Sequence, residues 1–139
     1  MSATIRMNDP SAAAQLATGF FPLTANTWRW TAKEFSVVLP IPPGAATQGG
    51  TLSLSFNIPD VVTKTMGPLS LSASIDSTAL GSEKYVTAGN YTFQKDVPAS
   101  LLTKEPIKVN FALDKALPPK PPETRELGVI VTSVGIQSR

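Results

Sequence analysis

Hydrophobic residues recur at every second position over long stretches of this chain. Between Thr51 and Ile58, Leu52, Leu54, Phe56 and Ile58 alternate with Ser53, Ser55 and Asn57. Successive side chains of an extended strand point to opposite faces, so this spacing separates an apolar face from a polar one. The same rhythm sets Leu69, Leu71, Ala73 and Ile75 against Ser70, Ser72 and Ser74, and it returns in Ile107, Val109, Phe111 and Leu113. Phe35, Val37 and Leu39 repeat it before Pro40 and Pro42-Pro43-Gly44 stop the run. In Trp28-Arg29-Trp30-Thr31 the period places both indoles on one face and Arg29 with Thr31 on the other. One dry face and one wet face is the pattern of antiparallel sheets.

Other segments are less regular. Lys84 to Thr87 and Asn90 to Gln94 flank Ala88-Gly89 and predict a hairpin. Leu127 to Ile136 is a nearly continuous apolar strand, in which Gly128 and Gly135 predict a bulge or a close backbone approach. The segment Leu117-Pro118-Pro119-Lys120-Pro121-Pro122 reads as a stiff loop between two structured flanks rather than as a polyproline ligand. Only the N-terminal stretch has helical spacing. Asp9 suits a cap, Pro10 a first helical position, and Ser11 to Thr18 supplies Ala12, Ala13, Leu16 and Ala17 before Gly19 ends the run. The prediction is an all-β antiparallel β-sandwich, jelly-roll or immunoglobulin-like, of about eight strands with one short N-terminal helix. The helix or extension occupies residues 1–18 and the sandwich residues 19–139.

Composition narrows the chemistry more than the fold. At 139 residues the chain buries enough surface to fold without a disulfide or metal. An apolar content of 42% with 16% charged residues argues against disorder. The twelve basic residues are scattered singly and the net charge is only +2, so there is no footprint for nucleic acid despite a pI near 9.0. No run approaches the ~18 consecutive apolar residues of a membrane span. Met1 to Phe21 lacks a basic head and apolar core of a signal peptide, which points to the cytoplasm unless the chain is part of a longer or processed protein. With no cysteine and no histidine, thiolate nucleophiles, imidazole acid-base steps and Cys/His zinc sites are excluded. No cofactor or metal site is predicted.

What remains is carboxylate, aromatic and arginine chemistry. Asp60, Asp76, Asp96, Asp114, Glu123 and Glu126 fall mostly at strand ends or in turns, where acids commonly bond nearby backbone. No spacing pairs two of them as a glycosidase requires. Trp28, Trp30, Tyr85 and Tyr91 are candidates to stack on a sugar ring, and the alternative for the indoles is core packing. Arg29 and Arg125 are candidates either for an anionic group or for a structural pair with Glu34, Asp114 or Glu126. Asn90-Tyr91-Thr92 matches the N-glycosylation acceptor pattern, which three residues often do by chance.

Three stretches taken together carry a resemblance. They are Gly19-Phe20-Phe21-Pro22 followed by Trp28-Arg29-Trp30-Thr31-Ala32, then Asp96-Val97-Pro98-Ala99, then Arg125-Glu126-Leu127-Gly128-Val129. The chain thereby resembles a poorly characterised bacterial β-sandwich domain with G-F-[YF] … W-R-W-T and R-E-L-G motifs, found alone and in proteins associated with glycosyltransferases and cell-envelope polysaccharides. The resemblance implies an accessory module in a glycan context and supplies no catalytic or binding residues. An acidic residue often precedes R-E-L-G in that domain where this chain has Glu123-Thr124. Three functions stay open at this point. One is a non-catalytic, glycan-associated accessory or binding module. A second is a structural or protein-interaction domain that self-associates through strand edges. The third is an enzyme built on converging carboxylates.

Overall fold

The computed structural model describes residues 2–25 and 27–139; Met1, the first residue of the expected extension, lies outside the described residues. The strands are β1 (Thr4–Arg6), β2 (Leu16–Phe20), β3 (Arg29–Leu39), β4 (Gly50–Ile58), β5 (Leu69–Ile75), β6 (Thr78–Tyr85), β7 (Gly89–Val97), β8 (Ile107–Leu113) and β9 (Ile130–Ser138). Two short helices, α1 (Ala45–Gln48) and α2 (Asp60–Met66), lie in connections.

All strand pairings are antiparallel and they build a sandwich. One sheet runs β6-β5-β8-β3-β2, and the other runs β7-β4-β9 with β1 beside β9. Strand β3 belongs to both: Arg29 and Trp30 pair with Val131 and Ile130 of β9, whereas Glu34 to Leu39 pair with β8. The alternating residues behave as their period predicts. Leu52, Leu54, Phe56 and Ile58 of β4 face Leu69, Leu71, Ala73 and Ile75 of β5 and the inner residues of β8 in one buried core. Phe35 and Phe111 stack at its centre, 5.1 Å apart with rings 17° from parallel. Gly128, just before β9, and Gly135 within it mark close approaches, since a Cβ on Gly128 would sit 2.6 Å from Leu113 Cδ1 and one on Gly135 2.7 Å from Thr4 Oγ1.

Two expectations need correction. Only Ala12–Gln15 turns, as a 3-10 segment, and Leu16 onward is strand β2. The Gln15 side chain is buried, donating to the carbonyls of Ser2 and Val38 and accepting from the Ser2 N–H. That anchor and the ladder with β3 outweigh the marginal helix that about eight residues can form. Residues 4–6 and 16–20 are thus built into the sheets rather than preceding them.

The second correction concerns the hairpin around Ala88-Gly89. Strand β6 pairs with β5 and β7 with β4, so residues 86–88 cross from one sheet to the other. Phe93 and Val97 of β7 bury with Leu54 and Gly50 opposite them, and this burial fixes β7 in the β4 sheet. The tight hairpin lies at Asp76-Ser77 instead, between the paired residues Ile75 and Thr78. Both turn residues have positive φ, 49° and 68°, the signature of a type I′ turn.

Candidate functional site

The outer face of the β6-β5-β8-β3-β2 sheet holds a shallow trough of about 320 Å³. Strand register places its floor in rows. Ser72 lies opposite Ala112 and Ala112 opposite Glu34, while Ser74, Asn110, Ser36 and Thr18 form the next row. Most of these are solvent-side positions of the period-two pattern, Ser36 being covered beside Thr18, and all but Glu34 are short, which leaves the face open. Thr18 and Ser36 join their hydroxyls at 2.6 Å, and Ser72 Oγ donates weakly to the Ala112 carbonyl at 3.4 Å. Ser74, Asn110 and Glu34 make no side-chain hydrogen bond to another described residue. The trough therefore presents a free hydroxyl, a free amide and a free carboxylate around the methyl group of Ala112. Sequence reading passed over it, because Ser72, Ser74 and Asn110 look like any solvent-face residues until the sheet order brings β5, β8 and β3 together.

The six aromatic and arginine candidates do not converge. Trp28, Arg29, Trp30 and Arg125 gather near the start of β3. Trp30 is half-buried against the core and shares a row with Ile130, Asn57 and Asn90, across the other sheet. Trp28 is also half-buried, and its indole Nε1 is enclosed with no partner among the described residues. Arg29 Nη1 donates to the Phe21 carbonyl at 3.2 Å. Arg125 grips Glu123 through two bonds of 2.8 and 2.9 Å, and its guanidinium lies 5.1 Å from the Phe21 ring centre. Hydrogen bonding from Arg125 holds the Glu123 carboxyl at about 2, well below its ordinary 4.5. The partner of Arg125 is thus Glu123, not Glu34, Asp114 or Glu126. Glu126 instead accepts the Lys33 N–H, and Asp114 accepts that of Ser70.

These contacts give the two outer motifs a structural role. Gly19 and Gly128 both press on β3, where a Cβ would lie 2.1 Å from the Glu34 carbonyl and 2.8 Å from the Ala32 carbonyl respectively. Phe21 of the first motif meets Arg125 of the last. Segments about a hundred residues apart in sequence therefore clamp one strand.

Tyr85 and Tyr91 lie across the sheet from Arg29, at the far side of the row Arg29-Val131-Phe56-Tyr91, where β6 and β7 approach. They are half-buried and pack on one another at 4.5 Å and on Phe56 at 5.2 and 5.9 Å, rather than standing free on a turn. Tyr91 OH donates to the Thr87 carbonyl. Burial, helped by Glu83 and Tyr91, raises the Tyr85 phenol to about 12. Among the described residues no three acidic side chains gather as a metal site would require, and no helix is long and apolar enough to cross a membrane.

No protein-family model and no curated protein matches the sequence. Solved structures do match the fold. The CBM36-1 domain of a multidomain xylanase from the hindgut metagenome of Trinervitermes trinervoides superposes with a TM-score of 0.54 at 8% identity, over 98% of this chain and 96% of that one. TmCBM27, a carbohydrate-binding module studied for specific mannan recognition, gives 0.54 at 12% identity over 98% and 95%. An acetyl xylan esterase, Est2A, from the rumen bacterium Butyrivibrio proteoclasticus gives 0.52 at 8% identity, with 98% of this chain covering 33% of the esterase. The chain has the β-sandwich architecture of carbohydrate-binding modules.

Proposed function

We propose that this chain is a non-catalytic accessory module that binds a polysaccharide along the outer trough of the β5-β8-β3 sheet. The observation that carries the reading is the set of uncommitted polar side chains on that floor: Ser74, Asn110 and Glu34. A sugar offers hydroxyls at its rim and C–H groups on its ring face. The floor offers a hydroxyl, an amide and a carboxylate around the apolar Ala112, on rigid strands rather than loops. Sites of this kind need only a few well-placed polar groups. The trough contains one carboxylate, Glu34, whereas glycosidic hydrolysis takes two flanking the bond. Architecture shared with a xylanase-associated module and with a mannan-recognising one supports the same reading, and the glycan context implied by the Trp-Arg-Trp-Thr and Arg-Glu-Leu-Gly motifs is consistent with a cell-envelope polysaccharide.

Affinity electrophoresis through gels containing xylan, mannan or bacterial cell-envelope polysaccharide tests this. We expect retardation by at least one polymer. Asn110→Ala with Ser74→Ala should weaken it roughly tenfold, the effect of losing two net hydrogen bonds. Trp30→Phe, on the other sheet, should leave it unchanged. Free migration in every gel, together with concentration-dependent self-association in sedimentation, would replace the glycan reading with a protein-interaction one.

A further inference from the structure

We infer that Arg29 forms a separate binding pocket for a single carboxylate group, at the β2 edge of the sandwich. Arg29 and Thr31 occupy the inner side of β3, and Thr31 is fully buried. The Arg29 guanidinium is thereby drawn partly inside. Its Nη1 is held by the Phe21 carbonyl, and among the described residues its Nε is buried without a partner and no carboxylate comes within salt-bridge distance. Of the other partly enclosed cations, Arg125 is matched by Glu123 and Lys95 by Glu83, while Lys115 is held by the Met66 carbonyl, with its ammonium away from the pocket beside Arg29. A charge withdrawn from water without an opposite charge is costly, and pairing it with a carboxylate relieves that cost.

The space beside Arg29 suits such a group. A pocket of about 210 Å³ opens there, walled by Ala13, Leu16, Ala17, Thr18, Gly19 and Phe20. Four of these have small side chains, and the Thr18 hydroxyl is already joined to Ser36. Among the described residues the arginine is the only charged group in the wall, so the site carries one positive charge and matches a monoanion better than a doubly charged phosphate. Its rigidity follows from the Phe21 bond, which fixes the plane of the guanidinium and leaves Nη2 for an incoming oxygen. Thr18 also lines the glycan trough, so the two sites adjoin while using different side chains. The same carboxylate is offered by a small organic acid or by a uronic acid unit.

The test is a titration of the Arg29 side-chain Nε–H resonance with sodium acetate and, separately, sodium glucuronate, at ionic strength held constant with sodium chloride. The expected result is a saturable shift with both acids that chloride alone does not produce. Arg29→Gln should reduce affinity by roughly ten- to a hundredfold, as loss of a charge-assisted contact does. Ala17→Glu keeps the arginine and brings a tethered carboxylate to the pocket wall, so it should suppress acetate binding while raising thermal stability. Tighter binding of glucuronate than of acetate by about tenfold identifies a uronic acid unit, and equal binding identifies a simple organic acid. A linear shift, the same shift with chloride, or acetate binding undisturbed in Ala17→Glu each overturns the inference. None of these outcomes depends on polysaccharide binding in the trough.

Discussion

Glu123 and Arg125 show how much two neighbouring side chains settle. Their twin hydrogen bonds close a turn within the long loop before β9, and the arginine then covers Phe21 from the far end of the chain. Because the pairing favours the carboxylate, its contribution is fully present above the ordinary value of 4.5 and is lost as pH falls through about 2. We expect the Glu123 side-chain carbon resonance to titrate near 2, and Arg125→Gln to return the midpoint towards 4.5. An unchanged midpoint in the variant would mean that another group holds the carboxylate. The pair is half-exposed, so the effect belongs to local loop order more than to global stability. Residue identity alone did not reveal this. Arg125 had several acids within reach of argument, and the partner is the one two positions away.

At the scale of elements, the strands that alternate cleanly were legible. β4, β5 and β8 bury every second residue from end to end, and each lies between two neighbours in its sheet. β1, β2 and β6 were not legible, for a common reason. They are edge strands that are short, irregular in register or wet on both faces, so hydrophobic period carries little signal there. The trough was hidden more deeply, because it needs three strands that are distant in sequence to become neighbours. The glycine before β9 was readable as a close approach, and the structure shows what it approaches. Gly128→Ala would push a methyl group between Leu113, the Ala32 carbonyl and the Thr31 hydroxyl, at 2.6 to 2.9 Å. We expect a loss of about 1–3 kcal/mol in urea unfolding, typical of overpacking in a tight site. A loss under about 0.5 kcal/mol, the range of an indifferent surface change, would show that β3 and this loop separate easily.

For the molecule as a whole, the shared strand β3 ties the two sheets into one unit, and three of the edges, β7 apart, carry features that discourage further pairing. β1 has three residues, β2 is irregular, and β6 presents Glu83 and Lys84 beside a bulge. The pairing of β1 with β9 has a mechanical consequence. The Ile136 N–H donates to the Ala3 carbonyl, so the first and last strands leave the sandwich side by side at one end. Handles attached at the two ends and drawn apart would load this three-pair ladder one bond at a time, like a zipper, and not all at once in shear. In single-molecule stretching β1 should therefore peel at low force in a first step, followed by a larger event in which the sandwich breaks; one simultaneous rupture would contradict it. Tension between the ends would reach the β4-β9 ladder only after that strand has let go, leaving the trough on the opposite sheet in place through the first extension.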